Sequence, residues 1–181
     1  MNFFAVTIFL ALGVTAFGYT DKPELQDLVE ALKTDNKIWL AWRSYQMQTS
    51  EQYHRCNYVV KTAPPAQYRY HFKQHFMYGG TRGDKDLTVD ISASSRGEPV
   101  LTVSNSSGAS VLYTMRFWDP DNHCFILTFQ GNRQWECELH LWNQDVEKLD
   151  TNPLYYCMQD YDILCGGRKY ELYTPDCKNP Y

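Results

Sequence analysis

The chain has 181 residues, 15% of them aromatic, and six cysteines; this is one domain's worth of sequence, and with 21% charged residues it is too apolar for a disordered chain. Seventeen Lys and Arg stand against 21 Asp and Glu, a net charge of −4, which argues against a nucleic-acid binder and its basic patch.

Met1 to Gly18 contains no charged side chain, and Phe3 to Leu12 is nearly all apolar. Ala16 and Gly18 put small residues at the two positions that direct cleavage before Tyr19. Residues 1–18 therefore read as a secretory signal peptide, and 19–181 as one secreted, extracellular domain. The apolar run falls short of the ~20 residues that span a bilayer, so no membrane association is expected after cleavage. Secretion changes the meaning of Cys56, Cys124, Cys137, Cys157, Cys165 and Cys177: an even count in an oxidising compartment implies disulfides, with the pairing open. There is no C-x-x-C pair or zinc-finger spacing, so no metal and no cofactor is expected.

A helix opens the domain, with Leu25, Leu28, Val29 and Leu32 at helical spacing after Pro23. The period then changes to two. Strands are predicted at 37–48, 52–62, 67–78, 85–93, 98–104, 110–118, 123–130 and 133–142, separated by turn chemistry such as Ala63-Pro64-Pro65, Gly79 to Asp84, Arg96-Gly97 and Asp119-Pro120-Asp121-Asn122. His71 and His75 fall on one face of a strand, about 13 Å apart, too far to share a metal. Asn105-Ser106-Ser107 is a glycosylation sequon in a turn-like stretch. A second helix is expected with Asn152 as its N-cap, Pro153 in its first turn and Gly166-Gly167 as its stop; Leu154, Met158, Tyr161 and Leu164 or Cys165 would share a face. A short strand, 169–173, ends the pattern. Eight short strands and two flanking helices indicate an all-β fold, an eight-stranded antiparallel lipocalin barrel with both helices outside; a β-sandwich explains the strands but not the helices.

Several segments resemble the tick salivary lipocalins of the histamine-binding family: Cys124-Phe125-Ile126, Glu136-Cys137-Glu138-Leu139-His140-Leu141-Trp142, Cys157, Cys165, Tyr173-Thr174-Pro175-Asp176-Cys177, and Lys37 to Tyr45 as a first barrel strand. The resemblance implies a barrel that captures small host mediators and so suppresses host defence at a feeding site. It also implies the bridges Cys56–Cys177 and Cys124–Cys157 and, as in six-cysteine members, Cys137–Cys165. If Cys124 and Cys137 then point outward to the helix, Phe125, Leu127 and Phe129 face the interior, as do Glu136, Glu138 and His140. The alternative puts Glu136 at the solvated mouth and His140 at the other rim.

Amine binders in this family carry an Asp after the first of these cysteines and an aromatic after Glu-Leu, so that paired carboxylates cage an ammonium. This chain keeps Glu138-Leu139 but has Phe125 and His140 in those slots, with Asp86 and Asp90 as candidate substitutes. A biogenic amine such as histamine or serotonin is the first expectation. The alternative is an eicosanoid or fatty acid, which needs a cation: if Tyr45 faces inward, strict alternation sends Arg43, Ala41 and Trp39 inward too, and Arg43 becomes the anion partner beside His140. Arg43 outward and solvated beside Trp42 is the competing placement. A third possibility is a decoy for a host protein, carried by loops 79–84 and 105–108. No catalytic motif is present, and oxidised cysteines leave no thiol nucleophile, so no enzymatic activity is expected.

Overall fold

The computed structural model describes residues 22–151 and 156–178. The expected signal peptide, the expected N-cap Asn152 with Pro153 after it, and Leu154 of the expected helix face lie outside the described residues.

Helix α1 (Leu25–Ala31) starts at Glu24, whose side chain and that of Asp27 cap each other's backbone reciprocally. Ten strands follow: β1 (Ile38–Arg43), β2 (Gln48–Thr49), β3 (Gln52–Lys61), β4 (Arg69–Tyr78), β5 (Thr81–Ala93), β6 (Pro99–Asn105), β7 (Ser110–Asp119), β8 (Cys124–Gln130), β9 (Trp135–Trp142) and, after helices α2 (Lys148–Thr151) and α3 (Tyr156–Cys165), β10 (Tyr170–Glu171). Neighbours from β3 to β9 pair antiparallel in sequence order, and β1 pairs with both β9 and β3. That double pairing closes an eight-stranded barrel and removes the sandwich alternative, because a closed sheet has no free edge.

The expected loop from Gly79 to Asp84 is much shorter than its composition suggests. Gly79 and Gly80, at φ +52° and +83°, form a two-residue turn with Tyr78 opposite Thr81, so the strand begins at Thr81. Residues 81–84 are strand, which takes most of the first predicted decoy loop out of loop conformation.

Two apolar clusters organise the molecule. One lies inside the barrel at the end closed by α1, where Leu28, Ala31 and Leu32 meet Ile38, Val89 and Leu101. The other lies outside, where Tyr161 of α3 meets Trp42, Leu139 and Leu141. The predicted face of α3 appears through Met158, Tyr161 and Cys165 rather than Leu164, which is 45% exposed. Gly166 and Gly167 end the helix at φ +66° and +71°. Bridges Cys124–Cys157 and Cys137–Cys165 fasten β8 and β9 to α3, and Cys56–Cys177 fastens β3 to the chain's last turn.

Strand β1 breaks the alternation read from sequence. Leu40 lies opposite His140 but Trp42 lies opposite Leu139, so Ala41 is an extra residue on β1. Its carbonyl leaves the ladder and accepts from the Leu172 backbone N–H at 2.8 Å. Residues before the bulge therefore face inward at Ile38 and Leu40, and residues after it at Arg43 and Tyr45. Trp39 turns outward instead. It packs edge-on to Tyr173 at 5.0 Å, and its indole N–H donates to Asn143 Oδ1 at 2.8 Å. The expectation that Trp39 and Ala41 share the interior with Arg43 is corrected by that one inserted residue.

Candidate ligand-binding cavity

The barrel interior encloses a cavity of about 250 Å³, at the small end of ligand pockets. Leu32 and Ile38 lie at its closed end, and Met47, Lys85, Ala109 and Val111 lie toward the open one. The charged residues on its wall are Arg43, Lys85 and Glu138.

Glu138 on β9 is buried and accepts hydrogen bonds at both oxygens. The Tyr45 hydroxyl donates to Oε1, as does the Tyr113 hydroxyl at 3.3 Å. His140 Nε2 bonds Oε2 at 3.0 Å and, facing a carboxylate, is the proton donor. The imidazole itself lies flat on Phe125, ring centres 4.9 Å apart and 7° from parallel. Burial alone would raise the Glu138 pKa. The bonds from His140 and Tyr45 and the charge of Arg43 outweigh it and hold the carboxyl below its usual value. For Tyr45, burial and the adjoining Glu138 charge push the phenol well above its ordinary value, so it stays a donor.

Arg43 is 2% exposed, with its guanidinium over the Tyr45 ring at 5.1 Å. Burial lowers its pKa, and the nearby Tyr45 and Glu138 partly restore it. Its Nε and Nη1 have no hydrogen-bond acceptor among the described residues. A buried cation with unused donors, on a cavity wall, is the strongest recognition feature in the molecule.

The other expected residues divide plainly. Phe125 lines the cavity with Leu127. Phe129 stands one layer further out and braces the rings of Tyr45 and Tyr113 at 5.3 and 4.9 Å. Glu136 is not on the wall; it accepts from Ser44 Oγ at 2.5 Å and lies 3.9 Å from Arg168. Asp86 and Asp90 face outward, ion-paired with Lys73 and Arg69, so neither supplies a second carboxylate. Asn105 is the last residue of β6, at the cavity's edge, its Oδ1 taking N–H groups from Ser107 and Ala109 in the turn that follows. Sequence reasoning missed Tyr113, Asn57, Gln74 and Lys85. No cysteine lies on β4, β5 or β7, and on β3 an irregularity beside the bridged Cys56 interrupts the alternation.

The family profile Tick histamine binding protein matches residues 19–179. A search among curated proteins finds no match. Among solved structures, Japanin from Rhipicephalus appendiculatus, bound to cholesterol, superposes with a TM-score of 0.56 at 14% identity, over 76% of this chain and 91% of Japanin. Lobster apocrustacyanin A1 superposes at 0.47 with 9% identity, over 83% and 87% of the two chains. With the closed barrel, the helix stapled to it and a profile match spanning the domain, the chain is a ligand-binding lipocalin and belongs to the tick histamine-binding protein family.

Proposed function

We propose that this protein is a secreted lipocalin that sequesters a small acidic amphiphile of the eicosanoid or fatty-acid class, a host mediator at a feeding site. The observation that carries this reading is Arg43: a buried guanidinium on the cavity wall with two of its nitrogens, Nε and Nη1, unanswered. A carboxylate is the acceptor that would answer a buried guanidinium with both charge and hydrogen bonds. The rest of the wall, with Leu40, Val89, Leu101 and Leu127, suits a hydrocarbon body.

The amine reading is weaker on the same geometry. Glu138 already accepts from Tyr45, Tyr113 and His140, and an ammonium beside it would face the Arg43 charge. No second carboxylate lines the cavity among the described residues. A neutral sterol, the kind of ligand that Japanin holds, would leave the guanidinium charge without a counterion. Secretion is supported by the apolar leader and by three disulfides. A glycan on Asn105 would stand at the cavity's edge.

Isothermal titration with histamine, serotonin and a leukotriene tests the ligand class. Saturable heat with the leukotriene and none with either amine is expected. Saturable binding of an amine with no leukotriene binding overturns the acid reading, and binding of none of the three to a barrel that captures a serum protein favours the decoy.

A further inference from the structure

Opposite the aliphatic wall, the cavity carries polar groups that Arg43 does not account for. Asn57 on β3 is 3% exposed and Gln74 on β4 is partly buried, and both line the cavity. Gln74 Nε2 donates to Asn57 Oδ1 at 3.1 Å. The strand register sets this pair beside the Glu138 cluster: Leu40 on β1 lies opposite Asn57 on one side and His140 on the other. Polar side chains on β9, β3 and β4 thus flank Leu40 on one side of the barrel, while Leu87, Val89, Leu101, Val103 and Leu127 make most of the facing wall apolar.

A plain hydrocarbon chain has no use for such an arc. Amides pressed against methylene groups lose water without replacement, and one bond between the two amides leaves most of their donor and acceptor capacity unspent. A hydroxyl both donates and accepts, as this pair does. Because of the bulge, Leu40 to Arg43 spans the two residues from His140 to Glu138 on β9, about 7 Å at about 3.3 Å per residue. A ligand anchored at Arg43 would therefore bring the middle of its chain, not its head, to Asn57 and Gln74.

We infer that the Asn57–Gln74 amide pair selects acids hydroxylated in mid-chain over their unsubstituted counterparts. This rests on the acid reading of Arg43 and narrows it to oxygenated lipids.

The test is titration of the intact protein with dodecanoic acid and with a set of hydroxydodecanoic acids that differ only in hydroxyl position. The wild type is expected to bind at least one mid-chain isomer about three- to tenfold more tightly than dodecanoic acid, the worth of one or two neutral hydrogen bonds. The double variant Asn57→Leu/Gln74→Leu removes both partners, so neither amide is orphaned. Whatever its absolute affinity, it is expected to bind all isomers and dodecanoic acid alike. If that variant does not fold, Gln74→Met serves in its place, with the preference expected to shrink. Equal binding of all the acids by the wild type, or a preference that survives in the variant, overturns the inference and leaves the acid reading standing. If no acid binds the wild type, the acid reading falls and this inference with it.

Discussion

Arg43 and Glu138 are both buried on one cavity wall, yet their surroundings are opposite. Glu138 has its donors supplied by Tyr45, Tyr113 and His140, whereas Arg43 keeps two nitrogens, Nε and Nη1, without an acceptor. Losing a charge-assisted hydrogen bond costs about 1.5–3 kcal/mol, so Arg43→Met should weaken acid binding roughly ten- to a hundred-fold in titration. Arg43→Lys should fall between, because an ammonium keeps the charge but loses the planar fork. Glu138 acts on stability instead. Its carboxyl sits below the ordinary value of 4.5 in the folded chain. Such a group stabilises in full above the unfolded value, and that contribution disappears as pH falls through the folded one. Thermal melts from pH 7 downward should therefore show a steep acid limb below about pH 4.5, and Glu138→Gln should flatten it while costing stability at pH 7. An unchanged limb in that variant would assign the acid sensitivity to other carboxyls, such as Asp90 beside Arg69.

At the scale of strands and helices, what was legible depended on whether something anchored the parity. Cys124 and Cys137 are fixed outward by α3, and on those two strands alternation places Phe125, Leu127, Glu138 and His140 on the cavity wall, where the structure has them. On β1 the same rule fails at Ala41, since nothing in Trp39-Leu40-Ala41-Trp42-Arg43 announces an extra residue. The cause lies 131 positions away in sequence numbering, where Leu172 takes up the Ala41 carbonyl and offers its own carbonyl to Cys56 N–H at 2.7 Å. A second irregularity on β3, between Arg55 and Tyr58, sits at that contact, with Cys56 at φ +50°. The C-terminal segment thus enters between β1 and β3 just beyond the Leu40–Asn57 pair, and the inward position of Asn57 is as hard to read as that of Arg43. The bridges to α3 act outside the barrel, which separates folding from binding. Replacing Cys137 and Cys165 together by alanine removes a cross-link that closes a 28-residue separation. A loop of that size is worth about 3 kcal/mol, so the melting temperature should drop by several degrees while acid affinity stays within about twofold of wild type.

For the whole molecule, the net charge of −4 opposes an anionic ligand at long range, while binding turns on one buried cation. The two effects respond differently to salt. At physiological ionic strength the Debye length is about 8 Å, so repulsion between the surface and an approaching acid is already largely screened. A contact made inside the barrel, with solvent excluded by α1 at one end and by the ligand itself at the other, is screened far less. The cavity also offers Lys85, an exposed cation on its wall, whose hold on a carboxylate would be that of a surface ion pair, about 0–1 kcal/mol and sensitive to salt. Raising potassium chloride about tenfold from low ionic strength should leave the dissociation constant for an acidic lipid within about twofold if Arg43 holds the head group. The association rate should rise slightly as the repulsion is screened. A severalfold loss of affinity over the same range, abolished by Lys85→Gln and untouched by Arg43→Met, would place the head group at the mouth on Lys85 instead of on Arg43.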